Sequence, residues 1–245
     1  MNKEVIISFK DVSKSYDKNL ILHNFNLQVE KGDFLTIIGT SGSGKTTALK
    51  LINGLLKADT GDVCIEGKNI TSVDIIRLRR NIGYVIQGVG LFPHMSVRKN
   101  IAYVSNLSRK KDKSKIDTTV NKLIEIVGMD KEMLERYPNE LSGGQKQRIG
   151  IARALAASPK ILLMDEPFGA VDEITRKSLQ EEILRIHKEL GVTIIFITHD
   201  IKEALKLGSK VLIMDKGEII QLGTPDEIKS NPKNSFVKEL ISSEL

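Results

Sequence analysis

The run Gly39-Thr-Ser-Gly-Ser-Gly-Lys45-Thr46 sets three glycines ahead of a lysine and a hydroxyl. Glycines 39, 42 and 44 let the backbone turn tightly, so that successive N–H groups can converge on an anion where a bulky side chain would obstruct them. An apolar run at 34–38 precedes this segment and a helical run at 47–56 follows it, the context that a phosphate-binding loop requires. Lys45 then adds positive charge towards the β- and γ-phosphates of a nucleotide, and the Thr46 hydroxyl is placed for Mg²⁺. Contacts to the nucleotide are expected from Gly39, Thr40, Ser41, Gly42, Ser43, Gly44, Lys45, Thr46 and Thr47. A flexible glycine turn would account for neither the Lys45-Thr46 pair nor the preceding strand.

A second glycine-rich phosphate reader, Leu141-Ser-Gly-Gly-Gln145, lies about a hundred residues later, immediately before a helical stretch at 145–157. Ile161-Leu-Leu-Met-Asp165-Glu166-Pro167 is an apolar strand ending in two carboxylates. A magnesium-dependent hydrolase needs one carboxylate for the metal and another group to position or deprotonate water, and Asp165 and Glu166 can divide those tasks. His199 follows the apolar run 193–198, again at a strand end, where it could donate a hydrogen bond to the γ-phosphate and orient the water. His23, His94 and His187 read as structural or surface residues. Two phosphate readers and one hydrolytic centre point to a shared site.

The elements that must position these residues are legible in the pattern. Continuous apolar runs at 34–38, 161–164 and 193–198 suit central parallel strands covered on both faces, and each ends in Gly39, Asp165 or His199, as expected where ligands sit beyond the carboxyl ends of an α/β sheet. Alternating segments at 7–12 and 25–29 predict half-buried antiparallel strands. Between 100 and 157 the pattern turns helical, with Ile116, Val120, Leu123, Ile124 and Val127 on one face. Runs 211–214 and 218–221 flank Asp215-Lys-Gly217, a hairpin signal, and Pro225 and Pro232 punctuate a final helical stretch.

The chain has 245 residues with 40% hydrophobic, enough for a substantial core, and a single cysteine, Cys64, which excludes an internal disulfide. Neither a leader pattern nor an apolar stretch of about 20 residues is present, so a cytoplasmic chain is expected, with any membrane role coming through a partner. The 37 basic residues exceed the 31 acidic ones, giving +6, and the densest cluster is 109–115. With 4% aromatics and no tryptophan, that cluster reads as a solvated loop and nucleic acid is not expected as a partner.

With the phosphate loop, Ser142-Gly-Gly-Gln145, the Asp165-Glu166 strand and His199 in that order, the chain resembles the nucleotide-binding subunit of an ATP-binding cassette (ABC) transporter, over essentially 5–240. The resemblance implies an α/β fold: a P-loop NTPase with a RecA-like, mostly parallel sheet, an N-terminal antiparallel β subdomain and an inserted helical subdomain at about 90–157, within a single domain spanning 1–245. It implies ATP and Mg²⁺ as ligands, with Lys45, Gln87, Glu166 and His199 catalytic and Thr46, Gln87 and Asp165 at the metal. Tyr16 falls where the family stacks an aromatic ring on adenine. Ser142, Gly143, Gly144 and Gln145 match the signature that faces the ATP of a second subunit, expected to be a copy of this chain, and Asp172 matches the loop connecting the two active sites. Integral-membrane permeases and an extracytoplasmic substrate-binding protein are the further implied partners, at the cytoplasmic face of the membrane.

The segments Ile82-Gly-Tyr-Val-Ile-Gln87-Gly-Val-Gly-Leu-Phe-Pro-His-Met-Ser-Val97 and Glu166-Pro-Phe-Gly-Ala-Val-Asp172-Glu-Ile-Thr-Arg176 resemble importers of quaternary amines such as glycine betaine, carnitine and choline. Importers of sulfonate, nitrate or another small solute share the Pro-Phe-Gly element and form the alternative; a soluble cassette ATPase without a transport role is a more distant one. Two departures, Gly88 after Gln87 and Glu173 after Asp172, remove no catalytic group. The chain ends at Leu245, so the C-terminal CBS modules of many close relatives are not expected.

Overall fold

The computed structural model describes residues 4–107, 112–169 and 171–242. Its contacts divide the chain into two compact units, Met1–Arg79 with Thr193–Leu245, and Arg80–Val192. The strands are β1 (Val5–Tyr16), β2 (Asn19–Glu30), β3 (Phe34–Gly39), β4 (Thr60–Ile65), β5 (Lys68–Asn69), β6 (Ile82–Val85), β7 (Ile161–Asp165), β8 (Thr193–Ile197), β9 (Lys210–Asp215) and β10 (Glu218–Gly223). The α-helices are α1 (Lys45–Ile52), α2 (Ile75–Arg80), α3 (Val97–Asn106), α4 (Lys113–Ile126), α5 (Gly143–Leu155), α6 (Glu173–Leu190), α7 (Ile201–Leu207), α8 (Pro225–Ser230) and α9 (Ser235–Ser242).

In the first unit, β2, β1, β4 and β5 form an antiparallel sheet in that order. Its two long strands exceed the alternating segments at 7–12 and 25–29. The alternation breaks where Asp11 and Asn24 adopt left-handed φ angles of 50° and 46°. The register between β1 and β2 shifts on both sides of Val12, and Asn26 Oδ1 accepts from the Asp11 N–H at 3.0 Å. A bulge of this kind keeps the strand going while hiding its period from the sequence. The same unit holds β3 between β8 and β9, parallel to both, with β10 closing the Asp215–Gly217 hairpin antiparallel to β9. β3 and β8 are almost wholly buried, which is why both read as continuous apolar runs. Helix α1 stops at Ile52, four residues short of the expected 47–56. Gly54 turns left-handed at φ 64°, and the Arg79 guanidinium takes the carbonyls of Asn53 and Gly54 at 3.2 and 2.7 Å.

The second unit pairs β6 with β7 in parallel and packs α3, α4, α5 and α6 with them. Its span is wider than the helical stretch at about 90–157, because β6, β7 and α6 cluster with those helices. On α4, Val120, Leu123 and Ile124 are buried as the spacing requires, and Val127 just beyond the helix is buried too. Arg109, Lys110 and Lys111 of the basic cluster lie outside the described residues. Asp112 then caps α4 by accepting from the Lys115 N–H at 3.1 Å.

Asn100 is fully buried on α3 and ties down the segment that leads into it. Its Oδ1 accepts from the Phe92 N–H at 2.8 Å, while Nδ2 donates to the carbonyls of Phe92, Met95 and Ser96 at 3.0–3.1 Å. On β6, burial and the neighbouring Asp165 carboxylate push the Tyr84 hydroxyl up to about 12.

Two stability measurements check these contacts. Asn100→Ala strands buried backbone groups and is expected to cost about 1–3 kcal/mol in denaturant titration, with little effect if those groups find other partners. For Tyr84 the fold favours the neutral phenol, so its contribution is intact below pH 10 and is lost as the pH rises from 10 to about 12. The parent should therefore lose stability more steeply over that window than Tyr84→Phe, and parallel curves would remove the assignment.

Candidate functional site

The phosphate loop hangs between β3 and α1, and its shape follows from contacts inside the first unit. Gly39 ends β3 opposite Met214, so close that a Cβ on it would stand 2.0 Å from the Met214 carbonyl oxygen. Only glycine lets the chain leave the sheet there. Gly42 and Gly44 take left-handed φ angles of 79° and 96°. A Cβ on Gly44 would meet Leu22 Cδ2 at 2.7 Å, so β2 braces the start of the helix from below. The Asp215–Gly217 hairpin braces the other side: Thr40 Oγ1 donates to Asp215 Oδ1 at 2.8 Å and the Gly217 N–H donates to the Ser43 carbonyl at 3.2 Å.

Lys45 folds back over this loop. Its ammonium donates to the carbonyls of Gly39 and Thr40 at 2.9 and 2.8 Å, with Ser43 Oγ at 3.5 Å, and the side chain is buried. No side chain caps α1, and its first turn carries no acidic residue. The space above Gly42 is open, since a Cβ there would meet nothing within 4 Å, so the loop combines a cation, an open glycine turn and an uncapped helix start. That chemistry fits a polyphosphate.

His199 leaves β8 at the same end of the sheet. The Thr198 N–H donates to the Ile37 carbonyl at 3.2 Å, and Thr198 Oγ1 accepts from Asp200, whose carboxylate caps α7. The exposed His199 ring is thus carried on a turn pinned on both sides. Tyr16 stands at the turn of the β1–β2 hairpin, paired with Asn19 and 43% exposed; the β2 arm of that hairpin is the one that braces Gly44.

In the second unit, Asp165 is buried at the end of β7 beside Tyr84. Glu166 follows with a left-handed φ of 45°, a conformation uncommon for a residue with a Cβ. Gln87, two residues past β6, donates from Nε2 to Glu166 Oε2 at 3.2 Å. The structure therefore joins two residues that the sequence separates by 79 positions.

The segment Ser142 to Gln145, expected to read a second phosphate, forms the start of α5. Ser142 Oγ accepts from the Gln145 N–H at 3.3 Å and Gln145 Oε1 accepts from the Ser142 N–H at 2.9 Å, a reciprocal capping box. Gly144 lies against α6, where a Cβ would stand 2.3 Å from Thr175 Cγ2. Thr175 in turn donates from N and Oγ1 to the Asp172 carboxylate at 3.0 and 2.6 Å, and those bonds hold the Asp172 carboxyl below its usual range. Ser142–Gly144 and Asp172 are thus neighbours through Thr175.

The remaining histidines do structural work: His187 Nδ1 pairs with the Val192 carbonyl at 2.9 Å, His23 lies 3.7 Å from Glu218, and His94 packs edge-on to Phe92. Sequence reasoning missed Asp215, which anchors Thr40, and Arg153, whose guanidinium grips the loop after Gln87. The signal for Arg153 was present as a charge within the apolar stripe Ile149, Ile151, Ala152, Ala154 and Leu155.

Comparison with known proteins bears on this geometry. The sequence profile of the family described as ABC transporter matches residues 22–169. The chain is 48% identical, over 98% of its length, to the glycine betaine uptake system ATP-binding protein YehX of Escherichia coli (strain K12), of which it spans 78%. It is also 48% identical over 98% of its length to the choline transport ATP-binding protein OpuBA of Bacillus subtilis (strain 168), of which it spans 63%. Its fold superimposes with a TM-score of 0.81, at 30% identity, on a dimeric post-hydrolysis state of the ATP-binding cassette MJ0796 bound to ADP and Pi, covering 90% of this chain and 99% of that one. The chain belongs to the ABC transporter family, as one of its ATP-binding domains.

Proposed function

We propose that this chain is the ATP-hydrolysing subunit of an importer for a small solute of the quaternary-amine class, such as glycine betaine, carnitine or choline. The observation that carries the solute class is the 48% identity, over 98% of the chain, to proteins named for glycine betaine and choline uptake. The observation that carries the chemistry is the Lys45 ammonium seated on the Gly39 and Thr40 carbonyls beneath an uncapped helix start.

In this reading Gly39 to Thr47 hold the β- and γ-phosphates through backbone N–H groups and the Lys45 charge, while Tyr16 stacks on the adenine. Glu166 accepts a proton from water as its oxygen attacks the γ-phosphorus, the bond from that phosphorus to the β-phosphate oxygen breaks, and ADP and phosphate leave. Gln87 holds the Glu166 carboxylate in place, and His199 donates a hydrogen bond to the γ-phosphate. Among the described residues no cluster of three or more His, Cys, Asp or Glu could hold a metal by itself. Thr46, Gln87 and Asp165 offer the hard oxygen donors that suit Mg²⁺ shared with a phosphate. When bound, Mg²⁺ neutralises charge on the phosphates.

The signature Ser142 to Gln145 serves the ATP of a second copy of the chain, with Asp172 linking the two sites, so that nucleotide favours a closed pair and hydrolysis releases it. No helix among the described residues is long and apolar enough to cross a membrane. Permease subunits supply the pathway, a binding protein outside the cell supplies the solute, and this chain works at the cytoplasmic face.

Three variants test the chemistry. Glu166→Gln should lower hydrolysis by about 10²–10⁴-fold while ATP still binds and the nucleotide-bound pair accumulates; full turnover would refute the base. Lys45→Ala should weaken ATP binding itself, measured by titration, and unchanged affinity would count against the loop. Ser142→Arg should stop turnover in the pair while a single subunit still binds ATP. The solute class is read from the reconstituted transporter with its binding protein, by ATPase stimulation with betaine, choline, carnitine, proline and taurine. Stimulation by taurine alone would overturn the quaternary-amine assignment.

A further inference from the structure

Three successive residues after Gln87 are left-handed: Gly88 at φ 78°, Val89 at 64° and Gly90 at 55°. Glycine adopts that conformation without strain, but a β-branched valine there is an outlier that only surrounding contacts can maintain. Those contacts come from α5. Arg153 donates from Nη1 to the Gly90 carbonyl at 2.7 Å and from Nη2 to the Val89 carbonyl at 2.8 Å. Its guanidinium also lies 5.6 Å from the centre of the Phe92 ring. One turn earlier, Gly150 leaves room for the valine: a Cβ there would stand 2.7 Å from Val89 Cγ1. The planar fork fits two adjacent carbonyls at once, which a lysine ammonium does not reproduce. Burial holds the guanidinium below its usual range.

This clamp sits two to three residues beyond Gln87, whose amide meets Glu166. We propose that Arg153 is a positioning residue: by holding Val89 and Gly90 in their left-handed form it sets the reach of Gln87, and through Gln87 the orientation of Glu166. The proposal rests on the roles assigned above to Gln87 and Glu166. It also gives α5 two tasks, since the helix that begins with Ser142 to Gly144 carries the clamp near its other end.

The test is single-turnover hydrolysis of radiolabelled ATP by an excess of the full chain, with ATP affinity measured alongside. Arg153→Gln should slow hydrolysis on the order of 10- to 100-fold while affinity changes by less than about 2-fold. Arg153→Lys should recover part of the rate. The decisive reading is the cycle with Gln87→Ala. If Arg153 acts through Gln87, Arg153→Gln/Gln87→Ala is no slower than Gln87→Ala alone by more than about 2-fold. Multiplying effects, a parental rate in Arg153→Gln, or no effect of Gln87→Ala would each overturn the proposal. Should thermal melting show Arg153→Gln unfolded, Gly150→Ala displaces Val89 with the charge intact, and the same pattern and the same refutations apply. Glu166→Gln run in parallel separates the two claims. Full turnover in that variant sinks the hydrolytic assignment and the clamp with it. An inactive Glu166→Gln beside multiplying Arg153 and Gln87 effects sinks the clamp alone.

Discussion

The ammonium of Lys45 is held by carbonyls of the loop it belongs to, and the architecture of the first unit follows from that need. A lysine at the start of a helix would reach into solvent unless the preceding chain curled beneath it. The curl requires Gly39 to pass within contact of the Met214 carbonyl, and Gly42 and Gly44 to turn left-handed. Those demands fix the neighbours. β9 must flank β3 so that its hairpin can hold Thr40 and Ser43, and β2 must run beneath Gly44. The result is a cation and an uncapped helix start brought together in one loop, a combination suited to a phosphate.

The second unit works by a different constraint. Its paired carboxylates, Asp165 and Glu166, stand at the end of a buried strand, where the backbone has little freedom, and Glu166 itself takes a left-handed φ. Strain of this kind persists only when surrounding contacts over-determine it. Gln87 supplies one such contact, and the segment that follows Gln87 is itself left-handed and held from α5. Unconventional backbone therefore occurs on both sides of the Gln87–Glu166 hydrogen bond. The regular helix between the signature and the clamp is the stiff member that relates them.

Much of this was legible in the sequence, and the parts that were not share a cause. The buried parallel strands declared themselves because β3, β7 and β8 are apolar throughout, and the reactive residues stood at their ends. Gly39 to Thr46 were readable because glycine at those spacings has few other uses. The long strands β1 and β2 were under-read because Asp11 and Asn24 break the alternation. β6 was missed because four residues give too little pattern, and α1 ended early because Gly54 turns left-handed just past it, where Arg79, distant in sequence, takes the Asn53 and Gly54 carbonyls. The Gln87–Glu166 and Arg153–Val89 contacts could not be read at all, since each depends on tertiary proximity and none on local pattern. A charge on an otherwise apolar helical stripe was the one local hint.

The two phosphate readers looked alike as sequence but differ in their chemical state. Gly44 offers α1 no side chain, so no side-chain cap occupies the start of that helix. Ser142 and Gln145 satisfy each other at the start of α5, so the Gln145 N–H is already taken while the Gly143 and Gly144 N–H groups lie outside the capping box. Both sites hold hydrogen bonds that an arriving anion would share: the Lys45 ammonium those to the Gly39 and Thr40 carbonyls, and the Ser142 hydroxyl the one from the Gln145 N–H. In the proposed pair of chains the loop around Lys45 would therefore bring a charged donor to a phosphate, and the signature only neutral backbone and hydroxyl donors at a capped helix start.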